Sequence, residues 1–174
     1  MDLRRMRLLL IVITSIVLAL FFVAPLVMPY GNVFGLSGTP LIIDFGHLWA
    51  DLDPLSATAY GIGDVLCHQQ CDRSFVINGS QMPVCVRDTF IVSGFLLGLL
   101  MSFVHRTELG MKRTAVVVLV AVVLILADHT VQMVFGLNVP FTRAVTGAVF
   151  GMAISLAVEC WFQYYELDSH AQVY

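Results

Sequence analysis

Three of the chain's four cysteines, Cys67, Cys71 and Cys85, fall in one short stretch, CHQQCDRSFVINGSQMPVCVRDTF at 67–90. His68, Arg73, Arg87 and Asp88 share it. Thiolate, imidazole and carboxylate are the groups that zinc accepts as ligands. Cys67, His68, Cys71, Cys85 and Asp88 are therefore a candidate metal-ligand set, although C-H-x-x-C…C-x-x-D is not a standard finger spacing. The same thiols fit two other chemistries. Two of them could close a disulfide that staples the fold, with Cys71 and Cys85 the pair that local geometry favours. Alternatively a thiol pair could pass electrons to a quinone, as in a membrane thiol–quinone oxidoreductase. The order Cys-His-x-x-Cys is not that of covalent haem attachment, Cys-x-x-Cys-His.

What must position these residues is mostly membrane-grade sequence. Of the 174 residues 59% are hydrophobic and only 12% charged, where soluble domains average about 45–50% and about 25%. The net charge of −3 is small and no basic stripe runs along any segment, which argues against a nucleic-acid partner. Four apolar segments, about 8–28, 87–104, 114–135 and 141–161, approach the roughly 20 residues that a helix needs to cross a bilayer. The first follows Arg4, Arg5 and Arg7, but its apolar run is longer than that of a signal peptide and no Ala-x-Ala site follows, so it reads as a membrane helix. The expected fold is an all-α integral membrane protein of one domain, residues 1–174, with four transmembrane helices.

Basic residues favour the cytoplasmic side. They sit at the N-terminus and in the loop between the second and third segments, as Arg106, Lys112 and Arg113. The long loop 30–86 has Arg73 alone against Asp44, Asp51, Asp53, Asp64 and Asp72. Both termini are thus expected inside and the cysteine loop outside, in a multi-pass protein of the plasma membrane.

Within the loop, Asp53-Pro54 is a helix start, Asp as the cap and Pro in the first turn. A helix from Pro54 to about Gln70 would put Asp64, Cys67, His68 and Cys71 on one face. Leu41–Trp49 reads as a short strand or an interfacial segment, with Phe45 and Trp49 at the membrane boundary. Asn78-Gly79 between two strand-like runs predicts a two-residue hairpin with Ile77 opposite Ser80, folding Cys85 back toward Cys67 and Cys71. Gly94-x-x-x-Gly98 and Gly147-x-x-x-Gly151 predict close packing of the second and fourth membrane helices. The tail QYYELDSHAQVY reads as polar and frayed.

The membrane segments carry ionisable groups of their own. Arg87 and Asp88 stand at the outer end of the second helix, and Arg143 at the outer start of the fourth. Asp128 lies roughly 21 Å along the third at 1.5 Å per residue, with His129 beside it and Gln132 one turn on. This places all of them at one depth, facing the cysteine loop. Charges inside a membrane are usually paired and functional. Arg73, Arg87, Arg143 and Gln132 are candidate binders of an anionic small molecule or lipid phosphate, and Asp128 and His129 candidate proton-transfer groups. A polar staple, and a scaffold subunit in a homo-oligomer or larger membrane complex, are the non-catalytic alternatives.

The run Cys67-His68-Gln69, then Arg73-Ser74-Phe75, Gly79 and Met82-Pro83-Val84-Cys85-Val86-Arg87, followed by Asp128 and Arg143-Ala144-Val145-Thr146-Gly147, resembles a prokaryotic membrane-protein family, domain of unknown function 2085. The resemblance spans about residues 64–151 and implies a small multi-helix membrane protein without an established activity. The family pattern reads Cys-x-Arg-Cys-Thr-Gly where this chain has Asp88 for the second Cys and Phe90 for the Gly, and Cys71 is additional. An Asp abolishes a redox disulfide at that place but can still ligate a metal. The departure favours metal binding over thiol redox chemistry.

Overall fold

The computed structural model describes residues 3–104 and 110–171. Arg106 of the basic loop and the last three residues lie outside the described residues. Four long helices carry the chain: α1 (Leu3–Val27), α4 (Val86–Val104), α5 (Met111–Val134) and α6 (Pro140–Ala171). Between α1 and α4 come α2 (Gly46–Trp49), α3 (Pro54–Leu66), a 3-10 turn (Cys71–Arg73) and the two-residue strands β1 (Val76–Ile77) and β2 (Ser80–Gln81). Each long helix contains a stretch apolar and long enough to cross a bilayer: Arg4–Val27, Val86–Val104, Met111–Val134 and Pro140–Tyr165. The tail expected to fray is helical as far as Ala171.

The chain groups into two compact units. One comprises Met1–Ser15, Phe90–Leu137 and Phe141–Tyr174; the other comprises Ile16–Thr89 with Asn138–Pro140.

In the helical unit, α4 and α6 meet as the small-residue spacing predicts. A Cβ at Gly94 would fall on the Ala148 backbone, one at Gly98 on Ser155, and one at Gly151 on the Ile91 carbonyl and the Phe95 amide. In lipid, where apolar burial drives no association, such backbone approach supplies the packing. One end of this unit is basic and aromatic. Arg7 Nε donates to Glu159 Oε2 at 2.8 Å and its Nη2 donates to Oε1. Glu159 is almost fully buried, and Gln163 Nε2 donates to it at 3.1 Å. Arg4 stands 6.0 Å from the centroid of the Phe103 ring.

The loop-bearing unit is built around Tyr60 and Trp49, whose rings lie 5.1 Å apart over a core of Ala24, Met28, Val33, Leu36 and Ala59. The α3 start is as expected: Asp53 accepts from the Leu55 and Ser56 amides at 3.0 and 3.1 Å. Hydrogen bonding from Ser56 holds the Asp53 carboxyl below its usual value. The hairpin also forms in the expected register, Ile77 opposite Ser80 and Val76 opposite Gln81. Asn78 and Gly79 take φ of 51° and 69°, the two positive angles of a type I′ turn.

Two expectations are corrected. The α3 helix ends at Leu66 rather than near Gln70, so Cys67, His68 and Cys71 do not share a helical face. The Val65 carbonyl, which the Gln69 amide would need to continue the helix, is taken by the preceding loop, Leu41 N donating to it at 2.8 Å. The segment around Trp49 is a short helix, not a strand, and Trp49 is buried within the unit. Asp64, fully buried on α3, draws it in by accepting from Trp49 Nε1 at 2.9 Å and from the Phe45 amide at 3.0 Å.

Candidate metal centre

Cys67 is the first residue after α3. It leaves the helix in an extended conformation (φ −134°, ψ 150°), and the chain then reverses through Gln69, whose φ is 47°. A non-glycine residue in the left-handed region needs a compensating anchor. Gln69 has one: it is fully buried, and its Nε2 donates to Pro83 O at 2.8 Å and to Tyr60 O at 3.3 Å. Gln81, also fully buried, fastens the same turn from the hairpin. Its Oε1 accepts from Leu36 N at 3.0 Å and its Nε2 donates to Gln69 O at 2.5 Å. Gly63 completes the arrangement, because a Cβ there would fall on the Pro83 carbonyl. The end of α3 can thus lie directly against the segment that leads into Cys85.

These contacts bring Cys67, Cys85 and Asp88 together. The two sulfurs and a carboxylate oxygen all lie within 4.8 Å of one another. Cys85 Sγ donates to Asp88 Oδ2 at 3.2 Å, the two residues being three apart at the start of α4. Cys67 is buried, and its sulfur accepts from two backbone amides, Cys85 N at 3.2 Å and Gln69 N at 3.4 Å. A neutral thiol sulfur is a weak acceptor; two amides aimed at one sulfur suit a thiolate. Hydrogen bonding with Cys85, burial and the nearby Asp88 charge all push the Cys67 thiol up from its ordinary value. Three acidic groups this close repel one another once ionised, and a divalent cation between them removes that repulsion.

The other sequence-derived candidates fall elsewhere. His68 and Cys71 do not join the trio; His68 O and Cys71 N are engaged with the loop at Gly38 and Leu36. The four cysteines are unbridged, and the Cys67 and Cys85 sulfurs lie within 4.8 Å of each other. Arg73 sits in the 3-10 turn, 3.7 Å from the Asp72 carboxylate. Arg87 is half-buried in the first turn of α4.

Asp128, His129, Gln132 and Arg143 belong to the helical unit. There Arg143, 3% exposed, donates from Nε to Gln132 Oε1 at 2.5 Å. Gln132 Nε2 in turn donates to Asp128 Oδ1 at 2.8 Å and to Thr142 Oγ1 at 3.1 Å, and Thr146 Oγ1 donates to Asp128 Oδ2 at 3.4 Å. His129 is half-buried on the same helix.

Sequence reasoning missed Gln81 and Glu159, and gave Gln69 no role beyond its place in the Cys67-His68-Gln69 run. A signal existed for Glu159 alone: a single acid inside an apolar helix requires a cation, and Arg7 was available. Nothing in the local pattern marks Gln81, whose partners at Leu36 N and Gln69 O are distant backbone atoms.

Four apolar helices of spanning length, a polar loop region and intramembrane charges define a polytopic helical membrane protein. The chain belongs to the family described as "predicted membrane protein (DUF2085)", which matches residues 67–157 and so takes in the trio, α4, α5 and most of α6. It is also similar to an uncharacterised protein of Methanocaldococcus jannaschii, at 29% identity over 103 residues. That alignment covers 58% of this chain and 65% of the relative, so the chain spans somewhat less than two thirds of the relative's length. No solved structure matches the chain.

Proposed function

We propose that the protein binds a divalent metal ion, zinc by preference, through Cys67, Cys85 and Asp88. The observation that carries this reading is the convergence of those three donors within 4.8 Å around a sulfur that already receives two amide hydrogen bonds. Two thiolates and a carboxylate are a ligand set zinc takes, and three protein ligands leave one position for water or a substrate, as in catalytic rather than structural sites. The amides from Cys85 and Gln69 act as the outer shell that orients a ligand and tunes its charge. In this reading the site lies on the extracytoplasmic face of the plasma membrane, because the loop that holds it has few basic residues. His68 and Cys71 are reserve ligands at most. Arg73 and Arg87 are the cations for an anionic group such as a lipid phosphate. Asp128, bridged by Gln132 to Arg143, is a charge pair that holds α5 to α6, with His129 beside it for proton transfer.

A second reading draws on the same proximity. Cys67 and Cys85 could give up two electrons and two protons to a quinone, forming a disulfide and a quinol. The Asp88 carboxylate against Cys85 favours the metal: both chemistries need the thiolate that a neighbouring negative charge disfavours, but only a bound cation offsets that charge.

The test is metal analysis of the full chain purified without chelators. About one equivalent of zinc per chain, lost in Cys67→Ser and Cys85→Ser, is the expected result. A metal-free protein with Cys67 joined to Cys85, reducible in step with a quinone pool, would replace this reading with the second.

A further inference from the structure

The helical unit contains a groove between α5 and α6 of about 510 Å³. Met111, Val118, Leu119 and Val122 line it from α5, and Ala157 and Trp161 from α6. This volume falls in the range of about 300–1,000 Å³ typical of small-ligand sites. Three features identify what fits it.

The walls are almost wholly apolar, and α5 is the least buried of the four spanning helices, so the groove opens sideways along a membrane segment. Its mouth is basic. Lys112 and Arg113 are exposed in the first turn of α5, beside the lining residue Met111. Lys112 lies seven residues before Leu119, two turns along the helix on nearly the same face. Among the described side chains at this end, the acid Glu159 is already taken by Arg7, while Arg4 and Arg5 are exposed; Glu166 and Asp168 follow the aromatic residues on α6. Finally, the mouth has an aromatic rim: Trp161, Tyr164 and Tyr165 are exposed, with the Trp161 and Tyr165 rings 6.4 Å apart. Tryptophan and tyrosine collect at headgroup level. The apolar walls therefore run into the acyl layer while Lys112 stands among the phosphates.

We propose that this groove is a binding site for an anionic phospholipid, one acyl chain lying along α5 and α6 and the headgroup phosphate held by Lys112. The site belongs to a different unit from the Cys67–Cys85–Asp88 trio, and its test does not depend on metal. Basic pockets between membrane helices recognise anionic headgroups, each cation near the surface contributing about 1 kcal/mol, or roughly a fivefold preference.

The experiment is native mass spectrometry of the full chain with phosphatidylglycerol and phosphatidylcholine of identical acyl chains. Wild type should retain phosphatidylglycerol at least about fivefold better. Lys112→Gln should remove that preference without weakening phosphatidylcholine binding. Leu119→Trp, which fills the groove from an exposed wall position, should abolish retention of both. Equal retention of the two lipids by wild type would overturn the proposal. So would a dimer that survives lipid removal and dissociates in Leu119→Trp, since a second copy of the chain would then occupy the groove.

Discussion

Replacing the candidate ligands one at a time separates the arrangement seen here from a looser cysteine-rich cluster. Cys67, Cys85 and Asp88 present their donor atoms within 4.8 Å of one another, whereas His68 and Cys71 lie outside that group. Around a tetrahedral zinc, sulfurs at about 2.3 Å and an oxygen at about 2.0 Å stand roughly 3.5–3.8 Å apart. No pair in the trio thus needs to contract by more than about 1.3 Å to close on an ion, within reach of side-chain rotation. A four-ligand structural zinc is worth about 10–16 kcal/mol, so each ligand contributes on the order of 3 kcal/mol, about a hundredfold in affinity. Cys67→Ser, Cys85→Ser and Asp88→Asn should each weaken zinc binding by about a hundredfold in competition with a chromophoric chelator. Cys71→Ser and His68→Gln should leave it within about threefold, since neither removes a donor from the trio. Asp88→Cys, which puts a third sulfur in the trio, should bind at least as tightly because a softer ligand suits zinc. If Cys71→Ser matches the loss in Cys67→Ser, or Asp88→Asn has no effect, the geometric argument fails.

Other predictions concern the scaffold. Arg7→Ala strands the buried Glu159 and should destabilise the protein by about 3 kcal/mol in unfolding from detergent; adding Glu159→Gln should recover most of that loss. Gln132→Leu removes the bridge between Asp128 and Arg143 and should cost a similar amount, about 3 kcal/mol in the same assay. Asp53→Ala should cost about 1 kcal/mol through loss of the α3 cap. Because the Asp53 carboxyl is held below its usual value, its contribution is present in full above the unfolded-state value near 4 and disappears as pH falls through the lowered value. The wild-type advantage over Asp53→Ala should therefore shrink in acid.

The parts of the fold that were legible in the sequence are those set by local chemistry or by period. Asn78-Gly79 fixes a type I′ turn because both residues tolerate positive φ, and the register follows. Asp53-Pro54 fixes the α3 start, and Gly94, Gly98 and Gly151 announce backbone contact between α4 and α6. The end of α3 was not legible. It depends on the loop amide at Leu41 capturing the Val65 carbonyl that would otherwise extend the helix. The same long-range bonding decided which cysteines meet. By spacing Cys71 was the favoured partner of Cys85, but it is Cys67 that meets Cys85, and the turn at Gln69, tied to Tyr60, Pro83 and Gln81, separates the paths of Cys67 and Cys71. Trp49 looked interfacial by composition, and only its distant partner Asp64 explains its burial.

The most direct measurement of the metal-site claim is X-ray absorption at the zinc edge of the zinc-loaded full chain. The arrangement predicts two sulfur neighbours at about 2.3 Å and light-atom neighbours at about 2.0 Å, with one sulfur lost in Cys85→Ser. A spectrum with no sulfur shell, or with three sulfurs that drop to two in Cys71→Ser, would contradict it.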